Sequence, residues 1–269
     1  AKTKTTWNLT YREVANKKLK ADVFQPVGDG PFPSVLMVHG GAWAAGSKWD
    51  VIMHGRALAR AGYVVLSINY RLAPKFKMAA QVDDVRFAAR WMVDNAEEWK
   101  IDTSRIAFWG YSAGGHLVSQ VALQSEPEDP SLRAVVAGGA PCDFNFIPMR
   151  SKALNFVLEG TRESNPKNYE RFTPLNYARK DAPPFFFFHG DKDLLVPQQS
   201  SKSLYEKLKE LEVQVDYYSV ANKGHMMTFL DSKAQGQVIA FLDSQLKDNK
   251  DSGKNGATSK TPNSSSEGS

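Results

Sequence analysis

Arg105-Ile-Ala-Phe-Trp109 runs directly into Gly110-Tyr111-Ser112-Ala113-Gly114-Gly115, and the helical pattern from Ala113 to Gln124 follows at once. A buried strand that turns sharply into a helix at a serine is the context in which G-x-S-x-G carries chemistry. The serine needs a strained backbone to expose its hydroxyl, and Gly110 and Gly114 remove side chains that would collide with the strand or the helix. The helix starting at Ala113 directs free backbone N–H groups toward the serine, where they favour developing negative charge. An ordinary glycine-rich turn could show the same letters; the strand before it and the helix after it favour the nucleophile.

The same alternation extends in both directions. Trp7 to Val14 and Lys18 to Phe24 read as a hairpin around Ala15 to Lys17. Short apolar runs follow at Val35 to Val38, Tyr63 to Ile68, Ala134 to Ala137, Phe185 to Phe188 and Val213 to Val220, rich in β-branched and aromatic residues as in strands covered on both faces. Between them, helical periodicity runs over Asp50 to Ala61, Ala79 to Trp99, Gln198 to Leu211 and Ser232 to Leu246, with Gly62 as a helix stop. Strand alternating with helix implies an α/β protein with a mostly parallel central sheet and helices on both faces, because parallel strands need long crossovers. Residues 145 to 182 break the rhythm for about forty residues, longer than a usual connection, and read as an insertion over the carboxyl edge of the sheet. From residue 249 to 269 the chain is polar and low in complexity and reads as a disordered tail. One domain over residues 1 to 248 is the expectation.

Composition narrows the classes. With 269 residues, 42% hydrophobic and 23% charged, the chain can bury a substantial core. Its formal charge of +5 is matched by the first twenty residues, where Lys2, Lys4, Arg12, Lys17, Lys18 and Lys20 face only Glu13. So local an excess reads as a solvated surface, and no nucleic-acid partner is expected. Cys142 is the single cysteine, which excludes an intrachain disulfide and a cysteine-based metal site; no metal or cofactor is expected. No apolar run approaches the roughly eighteen residues of a membrane span. Ala at position 1 fits trimming of a signal peptide or of the gene for expression; this leans localisation toward secreted or periplasmic and leaves compartment and oligomeric state open.

A second signal stands upstream, where Val35 to Val38 ends in His39-Gly40-Gly41-Ala42-Trp43. Acyl transfer at a serine after such a strand needs backbone donors for the oxyanion of the tetrahedral intermediate. The N–H groups of Gly41 and Ala113 are the natural pair, with Gly40 as a third. The base follows by elimination among five histidines. His39 belongs to the donor loop, His54 to a helix, His116 to the far side of the serine's own helix, and His189 closes a strand. His225, in Asn222-Lys223-Gly224-His225-Met226, lies between the last strand and the last helix, at the edge where Ser112 also falls. The acid lies in His189-Gly190-Asp191-Lys192-Asp193-Leu194-Leu195-Val196-Pro197, which offers Asp191 and Asp193. Asp193 is preferred, because Asp191 directly follows Gly190 and suits the tight turn. Ser112, Asp193, His225 is then the chain order of a nucleophile-elbow triad.

With these residues in place, the chain resembles the bacterial esterases of the α/β-hydrolase fold, particularly feruloyl-esterase-like and acetylxylan-esterase-like members, and more distantly the hormone-sensitive-lipase group. The likeness spans about residues 20 to 247 and rests on HGGAW at 39–43, NYRLAP at 69–74, WGYSAGGHL at 109–117, HGDKDLLVP at 189–197 and KGH at 223–225. Three departures separate it from the lipase group: Ala42 replaces a third glycine, Lys75-Phe76-Lys77-Met78 replaces an acidic residue with His-Pro-Phe-Pro, and too few residues precede the donor loop for a helical cap. The resemblance implies a small-molecule or carbohydrate ester as substrate, carrying acetyl or hydroxycinnamoyl groups, in an open site. Trp43, Tyr111, Phe144 and Phe146 are candidate pocket aromatics, although such rings serve equally as core. An arylformamidase-like amide hydrolase, a serine peptidase and a non-catalytic binding protein are the competing readings.

Overall fold

The computed structural model describes residues 1–148 and 151–247. Eight strands form one sheet in the order β1-β2-β4-β3-β5-β6-β7-β8. The hairpin strands are β1 (Thr3–Val14) and β2 (Lys17–Pro26), and the remainder are β3 (Phe32–Val38), β4 (Val64–Ile68), β5 (Ile101–Tyr111), β6 (Leu132–Gly138), β7 (Phe185–Gly190) and β8 (Val215–Val220). The β1–β2 and β2–β4 pairings are antiparallel, and every pairing from β4 through β3 to β8 is parallel. The carboxyl ends of β3, β5, β7 and β8 therefore open onto the same rim, where loop residues from distant parts of the chain meet.

Helices α1 (Ile52–Arg60), α2 (Met78–Asp94), α3 (Ala96–Trp99) and α4 (Ala113–Leu123) fall in the first half, and α5 (Lys152–Val157), α6 (Pro166–Arg171), α7 (Gln198–Glu210), α8 (His225–Phe229) and α9 (Ser232–Leu246) in the second. Two apolar cores lie against the sheet. The larger unites the inward faces of α2, α4 and α7 with Leu36, Phe108, Phe185 and Phe187; the smaller unites α1 and α9 with Val35, Trp109, Phe186 and Phe188. Residues 185 to 188 show why their run is uniformly aromatic: successive side chains on a strand point to opposite faces, and here each face carries a core. The cysteine, Cys142, is wholly buried in the larger core, and burial pushes its thiol up to about 12.

The single helix expected over Ala79 to Trp99 is two, α2 and α3. Asn95 donates its side-chain amide to the Trp91 carbonyl at 2.8 Å and closes α2 with non-helical backbone. The segment expected as an insertion, residues 145 to 182, holds α5, α6 and the single turn Pro174–Tyr177, and the turn Phe144–Phe146 leads into it. The polar tail expected from residue 249 lies outside the described residues. Among the described residues no helix is long and apolar enough to cross a membrane.

Candidate active site

Ser112 sits at the end of β5 with φ 55° and ψ −123°, a region that L-residues avoid and that turns the chain abruptly into α4. The turn closes only because two neighbours lack side chains. A Cβ at Gly110 would collide with the Gly114 carbonyl, and one at Gly114 would collide with the carbonyls of Val38 and His39. The Ser112 N–H donates to the Gly138 carbonyl at 2.8 Å, which fixes the turn against β6.

The donor loop folds beside it. Gly41 adopts φ +117°, and a side chain there would run into the Ala45 carbonyl, whose own N–H closes back on Gly41 O at 2.9 Å. Gly40, Gly41, Ala42 and Trp43 line a cleft of about 590 Å³ together with Tyr111, Ser112, Ala113 and His225. Ala113 is the first residue of α4, where backbone N–H groups have no partner within the helix.

His225 opens α8 rather than lying in a loop: Gly224 is extended and its carbonyl accepts the Thr228 N–H at 2.9 Å, which starts the helix. Its Nδ1 donates to Asp193 Oδ2 at 2.5 Å. Asp193 is 7% exposed and receives three further donors: the Leu195 and Val196 N–H groups on Oδ1 at 3.0 and 2.9 Å, and His189 Nε2 on Oδ2 at 3.2 Å. Burial alone would raise its carboxyl; the hydrogen bonds from His189, His225 and Val196 outweigh burial and hold it well below the usual carboxylate range. Asp191, the other acid the sequence offers, is exposed. Tyr111 ties His225 to β5, donating its hydroxyl to the His225 carbonyl at 2.6 Å with its ring 5.1 Å from the imidazole.

His39, His54 and His116 are structural. His116 is wholly buried; its Nε2 donates to the Phe172 carbonyl at 2.8 Å while Nδ1 accepts the Trp43 indole N–H at 3.2 Å. His39 donates from Nδ1 to the Gly40 carbonyl at 2.6 Å and stacks on Tyr70. Burial pushes His39, His54 and His116 each down to about 4, so all three are neutral. His189 was not singled out from sequence as part of the site. Its Nε2 faces two acceptors, Asp193 and the Val196 carbonyl at 2.9 Å, which places the proton there. Nδ1 then accepts from the Ser201 hydroxyl at 2.7 Å, and the Tyr217 hydroxyl supports Ser201 at 2.9 Å.

Of the candidate pocket aromatics, Trp43 and Tyr111 line the cleft and the two phenylalanines do not. Phe144 is 1% exposed and stacks on His116, because Asp143 Oδ1 accepts the Asn145 N–H and curls the chain into a turn that points the ring inward. Phe146, on the same turn, is 44% exposed and stands outside the cleft. The remaining walls are mostly apolar: Val51, Pro141, Ile147, Leu195, Met226 and Phe229. Ile147, Ser151 and Ala153 come from the segment expected as an insertion, and they line the cleft.

A sharp strand-to-helix turn at Ser112 on a central parallel strand, a glycine loop beside it and a histidine–carboxylate pair on the same cleft define an α/β-hydrolase domain. The chain belongs to the BD-FAE family, whose model matches residues 21–208. It is 31% identical over 227 residues to Esterase LipC of Mycobacterium tuberculosis, covering 77% of this chain and 56% of that one, and 28% identical over 240 residues to an arylesterase of Saccharolobus solfataricus, covering 84% and 74%. The chain spans about half the length of the three mycobacterial relatives it matches. Among solved structures, a truncated carbohydrate esterase from gut microbiota superposes with a TM-score of 0.83 at 24% identity, over 91% of this chain and 97% of that one.

Proposed function

We propose that the protein is a serine carboxylesterase that removes small or exposed acyl groups, acetyl or hydroxycinnamoyl, from carbohydrate through an acyl-enzyme on Ser112. The 2.5 Å bond between His225 Nδ1 and Asp193, with His225 and Ser112 on one cleft, carries the reading. With Nδ1 committed to Asp193, the Nε2 lone pair is left to take the Ser112 proton as Oγ attacks the acyl carbon. The carbonyl oxygen gains its negative charge toward the N–H groups of Gly41 and Ala113, with Gly40 adjacent; one such donor is typically worth about 2.7–4 kcal/mol in the transition state. The imidazolium returns the proton to the leaving alcohol, and water, activated by the same ring, releases the acid. Asp193, held ionised by its four donors, fixes the tautomer and stabilises the imidazolium.

Two observations favour a carbohydrate ester. The cleft is broad, which suits an acyl group carried on a bulky alcohol, and the gut-microbiota structure named a carbohydrate esterase shares the fold. The test is a panel of acetylated and feruloylated sugars set against aryl esters of increasing acyl length, with a fluorophosphonate probe to map the labelled residue. Labelling at Ser112 with a preference for short or hydroxycinnamoyl esters is expected; a preference for long-chain acyl groups, or labelling elsewhere, overturns the proposal.

A further inference from the structure

Two oddities of the sequence find no use in the active site: the basic amino-terminal stretch and the Lys75-Phe76-Lys77 segment. The fold brings them together. The β1–β2 turn places Lys17 Nζ 5.6 Å from the centre of the Phe76 ring, and Lys75 Nζ and the Arg71 guanidinium each lie 5.5 Å from it. They border a second cavity of about 350 Å³, within the roughly 300–1,000 Å³ range of small-molecule sites.

Four cationic side chains line this cavity, Lys17, Lys18, Arg71 and Lys75, and no carboxylate does. Arg71 is neutralised by Asp83 and Asp84, at 3.0 and 2.8 Å, and exposed Lys18 pairs with Glu13 at 3.4 Å. The uncompensated charge is that of Lys17 and Lys75, both exposed and without a carboxylate partner among the described residues. His39, Ser47 and Asn69 line the same cavity. His39 Nδ1 is spent on Gly40, the ring is neutral, and the buried Nε2 has no hydrogen-bond partner among the described residues. Ser47 brings a hydroxyl to the same cavity, and Asn69, whose Oδ1 is taken by the Lys48 N–H, is left with its amide N–H groups, so both can pair with the hydroxyls of a sugar. The chemistry sought is therefore a negative group and hydroxyls on one small frame.

We propose that this cavity binds a uronate unit of an acidic polysaccharide, its carboxylate at Lys17 and Lys75 and its hydroxyls toward Ser47 and Asn69. His39, Gly46 and Ser47 belong to the same loop whose Gly40, Gly41 and Ala45 line the catalytic cleft, so the two cavities share one wall. A polymer chain held on one side of that loop presents its acyl groups to the other. This assignment of the polymer as substrate rests on the carbohydrate-ester reading; binding of the uronate itself does not.

Calorimetric titration of the full chain with trigalacturonate, xylotriose and inorganic phosphate tests it. Trigalacturonate is expected to bind at least tenfold more tightly than either control, with affinity falling as salt rises from about 50 to 500 mM, as screening of exposed charges requires. Ser112→Ala should bind it equally. The double variant Lys17→Ala/Lys75→Ala should lose at least tenfold in affinity and raise KM for acetylated polygalacturonate, with hydrolysis of p-nitrophenyl acetate unchanged. Equal binding of xylotriose, phosphate as tight as trigalacturonate, or a double variant indistinguishable from the parent each overturns the proposal. Failure of the esterase reading would show separately, as absent p-nitrophenyl acetate hydrolysis.

Discussion

Asp193 and Asp22 are both buried carboxylates with a cationic or cation-forming partner, yet the molecule uses them in opposite ways. Asp22 is 0% exposed, and Lys48 Nζ, itself 2% exposed, donates to both of its oxygens at 2.7 Å. Its Oδ1 also accepts the Asn8 N–H at 2.8 Å, and the Lys48 N–H donates to Asn69 Oδ1 at the same distance. That pair is closed on every side and staples the donor loop to β2 and β4. The Asp193 pair is open at one end: the far side of its histidine lines the cleft. A buried carboxylate thus serves as a clamp where its partner is an enclosed ammonium, and in the proposed mechanism as the anchor of a proton-accepting ring where its partner lines a cleft.

The contrast can be broken first at the open pair. Ser112→Ala is expected to reduce turnover by roughly four to six orders of magnitude with the melting temperature unchanged, because triad members act as a unit. Asp193→Asn should cost about 10⁴-fold by favouring the wrong imidazole tautomer. At the closed pair the loss should move from rate to stability. Asp22→Ala strands a buried ammonium and should destabilise by about 3–5 kcal/mol in urea titration, while Asp22→Leu/Lys48→Met, which removes both charges, should recover most of that. An Asp22→Ala protein of parental stability would show that the clamp is not one.

The neutral histidines make stability itself depend on pH. His39, His54 and His116 have folded values lowered from 6.5 to about 4, so between these limits the unfolded chain binds protons that the folded chain refuses. Stability should therefore be full above about pH 6.5 and fall on acidification, with a slope near 4 kcal/mol per pH unit mid-window if all three titrate on unfolding. A flat urea midpoint from pH 7 to 5 would contradict the burial of these rings. The smallest effect is expected at His189. His189→Leu removes one of four donors to Asp193 and should lower kcat about tenfold, on the order of 1.5 kcal/mol for a hydrogen bond to a charged group, with KM little changed. His189→Gln, which can still present an N–H, should restore part of it.

The sheet and the catalytic candidates were legible because each leaves a local mark. Buried strands and their helices write themselves as apolar runs and 3.6-residue periods, and the turn at Ser112 demands glycine at 110 and 114 wherever the rest of the chain goes. What stayed hidden depends on contacts across the chain. Lys48 reads as a surface residue until the fold sets it on Asp22, twenty-six positions away. His189 closes a strand, and only the return of the following loop reveals that its ring meets Asp193. Phe144 and Phe146 look equivalent in sequence; one short turn sends the first into the core and the second out to solvent. The break at Asn95 is masked by continuous periodicity on either side.

Cys142 offers an experimental convenience. A thiol enclosed in the core and pushed up to about 12 presents almost no thiolate to a maleimide or iodoacetamide reagent near neutral pH. A single cysteine introduced at an exposed site such as Met226 would thus be the sole point of attachment for a dye or spin label, and ligand entry could be followed spectroscopically without first engineering away the native sulfur.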